Sequence, residues 1–176
     1  FLTMYLNKIK LFLVISICLI FFFLTYNDVK SQEIKIIEGN AFVIDGDTIK
    51  INGEKIRFSG IDAPESYYKG KEQTCLRENE KISCGKLSKD FLIQKIDNQK
   101  VTCEIESKPD RYKRKLGECF VNKKSLSRIL VKNGYAFDYP RYSKKKYAKD
   151  QDYARANKLG LWNMKFEFPW DFRKKN

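Results

Sequence analysis

Three short stretches of this chain hold side chains that burial alone does not explain: Asp45-Gly46-Asp47-Thr48, Arg57 with Asp62-Ala63-Pro64-Glu65, and Asp110-Arg111-Tyr112-Lys113-Arg114. Hard cations such as Ca²⁺ choose carboxylate and carbonyl oxygens, so Asp47 and Asp62 suit one if the fold brings them together. Cleaving a phosphodiester builds negative charge on a phosphorus centre that already carries one. Arg57 and Arg114 could meet that charge with planar forks of donors. Glu65 is a candidate to orient or deprotonate an attacking water. The chain has no His, which removes the Ser-His-Asp triad, His-based nucleases and the common His-ligated zinc sites. Each stretch also has an ordinary reading. Asp-Gly is a frequent turn, an Arg between Ile56 and Phe58 is a solvent-facing alternation residue, and Asp110–Arg114 is an exposed turn. The chemical reading rests on their joint occurrence and order.

The elements that must carry these residues are mostly strands. Ile34, Ile36, Ala41, Val43, Ile49, Ile51, Ile56 and Phe58 recur with period two, interrupted at Gly39-Asn40 and Asp45-Gly46. Asn52-Gly53 signals a tight hairpin. Val101–Ile105 and Leu116–Val121 read as a second hairpin around the polar stretch at Arg111. Residues 64–84 read as a long polar loop, followed by a helix from Gly85 to Ile96. Ser125 can cap a helix that stops at Asn133-Gly134, and Ser143 another that runs to Gly160. Five strands with three helices make a small α+β domain, and a five-stranded barrel avoids the exposed edges of a flat sheet.

The apolar run from Leu11 to Leu24 follows Lys8 and Lys10. It has signal-peptide length and is short for a membrane span. Met4 is the expected start, and cleavage is expected after Ser31; an uncleaved anchor is the alternative. This divides the chain into a leader (1–31), a barrel domain (32–162) and an aromatic, basic tail (163–176). The net charge is +13, and removing residues 1–31 takes away Lys8, Lys10, Lys30 and Asp28 to leave +11. Such a charge favours a polyanionic partner, although an anionic membrane or a merely solvated surface would fit charge alone.

Four cysteines remain beyond the leader: Cys75, Cys84, Cys103 and Cys119. An even number in an exported chain suggests disulfides. Cys103 and Cys119 are equidistant from Arg111 and face each other if the flanking strands form a hairpin. Cys75 and Cys84 would then close a loop of their own. The rival is a four-Cys zinc site, which no CxxC pair supports.

FVIDGDTIK, IRFSGIDAPE, DRYKRKLGEC, GYAFDYPRYS and ARANKLGLW, in that order from about Phe42 to Trp162, resemble the staphylococcal nuclease-like (thermonuclease) family. The resemblance implies an OB-fold five-stranded barrel with three helices and a Ca²⁺-dependent endonuclease acting on single- or double-stranded DNA and RNA. It makes Asp47, Asp62 and the carbonyl of Ala63 the Ca²⁺ ligands, Glu65 the general base, and Arg57 and Arg114 the arginines that bind phosphate. Tyr112, Tyr139 and Tyr142 fall where the family lines its nucleotide pocket. Lys113 departs from the pattern, standing where Gly is usual; a positive φ there would suit Gly better than Lys. The expectation is therefore a secreted or periplasmic nuclease, monomeric by default and with no protein partner implied. Membrane association would follow only from an uncleaved leader. The alternatives are a binding module of the same fold without catalysis, and a basic envelope protein held by its N-terminal helix.

Overall fold

The computed structural model describes residues 12–18 and 34–176. Residues 12–18 form a helix, α1; the remainder of the expected leader, and the cleavage point after Ser31, lie outside the described residues. Among the described residues no helix is long and apolar enough to cross a membrane.

Residues from Ile34 to Asn176 form one compact unit. Its centre is a closed five-stranded barrel of β1 (Lys35–Asp45), β2 (Thr48–Ile51), β3 (Glu54–Phe58), β7 (Lys100–Ile105) and β8 (Lys115–Val121). The strands run β3-β2-β1-β7-β8, and β8 returns to pair with β3, which removes both edges. That closing ladder is parallel, with Arg57 opposite Leu116, whereas the other barrel pairs are antiparallel. The expected OB-type α+β barrel is thus observed.

Gly39-Asn40, read from sequence as an interruption, lies inside the continuous strand β1. It marks the point where β1 changes partner, from β7 at Lys35–Asn40 to β2 from Ala41 onward. A Cβ on Gly39 would come within 3.0 Å of Ile51 Cγ2, so a side chain there would crowd β2. The Asn52-Gly53 hairpin forms as expected, with φ of 50° and 86° at its two turn residues.

Alternate residues point into the barrel: Val43, Ile49, Ile51, Ile56, Phe58, Val101, Ile105 and Val121 are buried there. Leu92 and Ile96 of α2 (Cys84–Ile96) and Leu126, Leu130 and Val131 of α3 (Leu126–Lys132) complete the core. Ser125 caps α3 by accepting a hydrogen bond from Arg128 N–H. Cys103 faces Cys119 across the β7–β8 ladder and is bonded to it, and Cys75 is bonded to Cys84. The two bonds consume all four thiols that a zinc site would have needed.

Two local expectations differ. Residues 64–84 contain a hairpin, β5 (Thr74–Arg77) with β6 (Glu80–Ser83), where a loop was expected. Ser143 ends a short helix, α4 (Pro140–Ser143), and α5 (Ala148–Ala156) begins only after Lys144 and Lys145, both at positive φ, have broken the helical path. The C-terminal segment ends in α6 (Pro169–Lys175), which starts with Pro at its first turn. Phe166, Phe168 and Trp170 of that segment pack on the buried Phe137 and Leu161.

Candidate active site

The end of β1 delivers the first carboxylates. The ladder to β2 shifts register between Val43 and Asp45, and the chain reverses within Asp45–Thr48. Phe58 N–H donates to the Asp47 carbonyl at 2.9 Å, and Thr48 lies opposite Arg57 on β3. This register sets the Arg57 guanidinium beside the Asp47 carboxylate. Gly60, at φ +75°, then turns the chain into β4 (Ile61–Asp62), which pairs with the two-residue strand Phe137–Asp138 and returns Asp62 to the other side of the same guanidinium.

Arg57 donates from Nη1 to Asp47 Oδ1 at 2.6 Å and from Nη2 to Asp62 Oδ1 at 2.5 Å. Asp47 also accepts from the Thr48 hydroxyl on Oδ1 and from Ala63 N–H on Oδ2. Asp62 is fully buried and Asp47 nearly so. Burial works against the Arg57 charge, but Asp47 and Asp62 together raise its pKa above the ordinary guanidinium value. Desolvation pushes the Asp62 carboxyl up, against the pull of the neighbouring guanidiniums. Glu65 is likewise raised by burial, and Asp45 by burial with Asp47 beside it. Asp45, Asp47, Asp62 and Glu65 outnumber the guanidiniums of Arg57 and Arg173 at this point of the fold.

Helix α2 forms the backing of the site. A Cβ on Gly85 would lie 2.2 Å from the Glu65 carbonyl oxygen, and one on Gly46 would lie 2.7 Å from Ser88 Cβ and 2.8 Å from Ala63 Cβ. Glycine at these two positions lets the helix press directly against both acidic loops. Buried Gln73 fixes the Glu65 backbone: its side-chain oxygen accepts from Glu65 N–H at 3.0 Å while its amide donates to the Glu167 carbonyl at 2.7 Å.

Asp47, Arg57, Asp62, Ala63 and Glu65, singled out from sequence, therefore converge. Arg114 and Tyr112 belong to a second centre. Asp110 accepts at Oδ1 from the backbone N–H groups of Tyr112 and Arg114, and at Oδ2 from Arg114 Nε at 2.7 Å. Among the described residues no ion pair joins Arg114 to Asp47, Asp62 or Glu65. Tyr112 is exposed, with the Arg111 and Arg114 guanidiniums 4.7 and 5.3 Å from its ring centre. Lys113 has φ 62°, the conformation for which Gly is the usual residue. Tyr139 and Tyr142 stand edge to face at 4.9 Å, and Tyr139 stacks on Trp170 at 5.0 Å. Tyr142 stays exposed.

One residue of this site was not anticipated. Arg173 of α6 donates from Nη2 to Asp62 Oδ2 at 2.6 Å and from Nη1 to Asp62 Oδ1 at 3.1 Å and Glu65 Oε1 at 2.5 Å. Asp62 and Glu65 raise its pKa against the cost of burial. The aromatic residues Phe166, Phe168 and Trp170 are a signal that the tail can pack on the domain, but nothing in the sequence pairs Arg173 with Asp62. The hard oxygen donors Asp47, Asp62 and the Ala63 carbonyl suit a divalent cation in kind, and two of them already flank a shared positive group, Arg57. Among the described residues no three acidic, Cys or His side chains stand together as a ready cation cage.

Residues 55–164 match the family model described as staphylococcal nuclease homologue. The chain is 32% identical over 120 residues to "Staphylococcal-like nuclease CAN1" of Arabidopsis thaliana, a match covering 67% of this chain and 32% of that protein. It is 38% identical over 127 residues to "Succinoglycan biosynthesis protein ExoI" of Rhizobium meliloti (strain 1021), covering 70% of this chain and 63% of that one. It is also 32% identical over 129 residues to "Endonuclease YhcR" of Bacillus subtilis (strain 168), covering 66% of this chain and 10% of that protein. The chain thus spans from a tenth to under two thirds of the length of these relatives.

Proposed function

Because this chain belongs to the staphylococcal nuclease homologue family, we propose that it is an exported, Ca²⁺-dependent endonuclease that hydrolyses phosphodiester bonds of DNA and RNA with little sequence preference. The observation that carries the reading is the single guanidinium of Arg57 bridging Asp47 and Asp62, with Glu65 three residues beyond Asp62 in the same hydrogen-bonded group. The relatives named as nucleases support the reaction class. The two disulfides suit an oxidising location outside the cytoplasm.

Asp47, Asp62 and the Ala63 carbonyl would hold the cation, which supplies Lewis acidity toward a non-bridging phosphate oxygen. Glu65 orients the attacking water in line with the scissile bond and takes its proton, a task for which a carboxyl raised by burial is better matched than an ordinary one. Arg57 and Arg114 bind the equatorial oxygens as charge grows on them; the fork geometry makes Lys a poor substitute for either. Tyr112 and Tyr142 offer exposed rings for a base, and Tyr139 offers the face that Trp170 does not cover. The basic surface draws in the polyanion.

The test is cleavage of plasmid and single-stranded DNA by the oxidised chain, with Ca²⁺ and with a chelator, beside Glu65→Ala. Cleavage that requires Ca²⁺ and collapses in the variant is the expected result. DNA retarded but uncut under both conditions would instead identify a binding module.

A further inference from the structure

Counting acceptor capacity at Asp62 exposes a conflict within the site. A carboxylate oxygen has two lone pairs. Asp62 Oδ1 already accepts from Arg57 and from Arg173, and Oδ2 accepts from Arg173 again. Asp47 Oδ1 is filled by Arg57 and the Thr48 hydroxyl, and Oδ2 accepts from Ala63 N–H. One lone pair is left on each residue. Glu65 is engaged by the same Arg173 nitrogen that touches Asp62. A divalent cation drawn to Asp47 and Asp62 would meet the Arg173 guanidinium already on both Asp62 oxygens, with like charge and a claim on the same atoms.

That guanidinium is delivered by a fastened segment. Leu76 and Lys165 exchange two backbone hydrogen bonds at 2.9 Å, and Gln73 donates to the Glu167 carbonyl. Trp170 stacks between Tyr139 and Phe168, and Lys71 donates to the Asn176 side chain at 2.7 Å. This attachment raises the effective concentration of Arg173 at the carboxylates above what a loose tail would give.

We propose that Arg173 is a tethered counter-cation of the site, which holds Asp62 and Glu65 together when no metal is bound and must leave them before Ca²⁺ can bind. Cation loading and withdrawal of Arg173 are then a single equilibrium, and α6 acts as a clasp that sets the Ca²⁺ concentration at which the site fills. The inference rests on the assignment of Asp47 and Asp62 as cation ligands.

Ca²⁺ binding measured by calorimetry on the oxidised chain tests it without reference to cleavage. Arg173→Gln should bind Ca²⁺ about 10-fold more tightly than the unsubstituted chain, an ordinary size for coupling between two ligands. Arg173→Lys, which keeps the charge and loses the fork, should lie between them and serves if the Gln variant does not fold. In a Trp162→Phe background, Ca²⁺ should shift the emission of the remaining indole, Trp170, because α6 moves as Arg173 withdraws. Equal or weaker Ca²⁺ binding by Arg173→Gln, with binding abolished by Asp62→Asn, would overturn the clasp and leave the cation site standing. No Ca²⁺ binding by any of these proteins would overturn both.

Discussion

The molecule contains two arginine–carboxylate centres with opposite electrostatics. At the barrel end, buried Asp47 and Asp62 and half-buried Glu65 surround Arg57 and Arg173, and desolvation drives Asp62 and Glu65 upward despite the guanidiniums in contact. In the β7–β8 turn, Asp110 faces a smaller burial penalty, and the N–H groups and guanidinium of Arg114 hold it below the ordinary carboxylate range. The turn is electrostatically self-sufficient. The barrel end is not: it keeps surplus acceptor charge out of water, a costly arrangement that a purely structural ion pair does not need. The contrast separates Arg57, built in between buried carboxylates, from Arg114, held by a single carboxylate in a turn.

Replacement of both arginines sharpens that contrast most. Arg57→Ala and Arg114→Ala should each lower kcat by about 10²-fold or more, since each removes donors from the growing phosphate charge. Their stabilities should diverge. Arg57→Ala strands the buried Asp47 carboxylate and takes one of two guanidiniums from Asp62, and should cost about 3–5 kcal/mol, whereas Arg114→Ala should cost about 1 kcal/mol or less. Urea melts beside single-turnover cleavage rates would show it, and full activity in Arg114→Lys would break the transition-state role given to that residue.

Gly85→Ala comes next. Its Cβ would collide with the Glu65 carbonyl, so the acidic loop must shift away from α2. The expected loss is about 10–100-fold in kcat, the scale of an ångström-sized misplacement, with about 1–3 kcal/mol of stability. Wild-type activity in this variant would show that α2 does not position Glu65.

The two centres should also respond to acid with opposite sign. Asp110 has a lowered folded pKa, so its contribution is present above about 3.8 and is lost as pH falls through the lower folded value. Asp110→Asn should remove that slope. Glu65 has a raised folded pKa, so its contribution is fully present below about 4.5 and is lost as pH rises through the folded value. Glu65→Gln should therefore be at least as stable as the unsubstituted chain at neutral pH, with the advantage gone at acid pH. Melting curves from pH 3 to 8 decide between these signs. The smallest effect is Lys113→Gly, which relieves a left-handed backbone and should gain about 1 kcal/mol.

Much of the barrel was legible because its strands alternate cleanly and its first hairpin carries Asn52-Gly53. The β5–β6 hairpin escaped because its turn, Glu78-Asn79, takes φ of 49° and 76° with no Gly to announce it. Asn122-Lys123 and Lys144-Lys145 follow the same habit, so turns that usually advertise themselves look like charged surface here. The acidic residues of the site could be read because they lie within twenty-one positions of one another, from Asp45 to Glu65. Arg173 could not be, because its partner Asp62 is 111 positions away and no local pattern connects them. Gln73 escaped for a related reason: its importance lies in two backbone partners that sequence does not display.

The parallel ladder that closes the barrel has a consequence in time. Residues 56–58 of β3 must meet residues 115–117 of β8, roughly sixty positions along the chain, and pairings of such sequence separation form late. Arg57 belongs to one side of that ladder, and Arg114 immediately precedes the other. Until that ladder closes, nothing in it holds these two arginines near each other, whatever local structure the chain has gained. In the nuclease proposed above, the two phosphate-binding arginines would therefore be assembled only once this ladder closes.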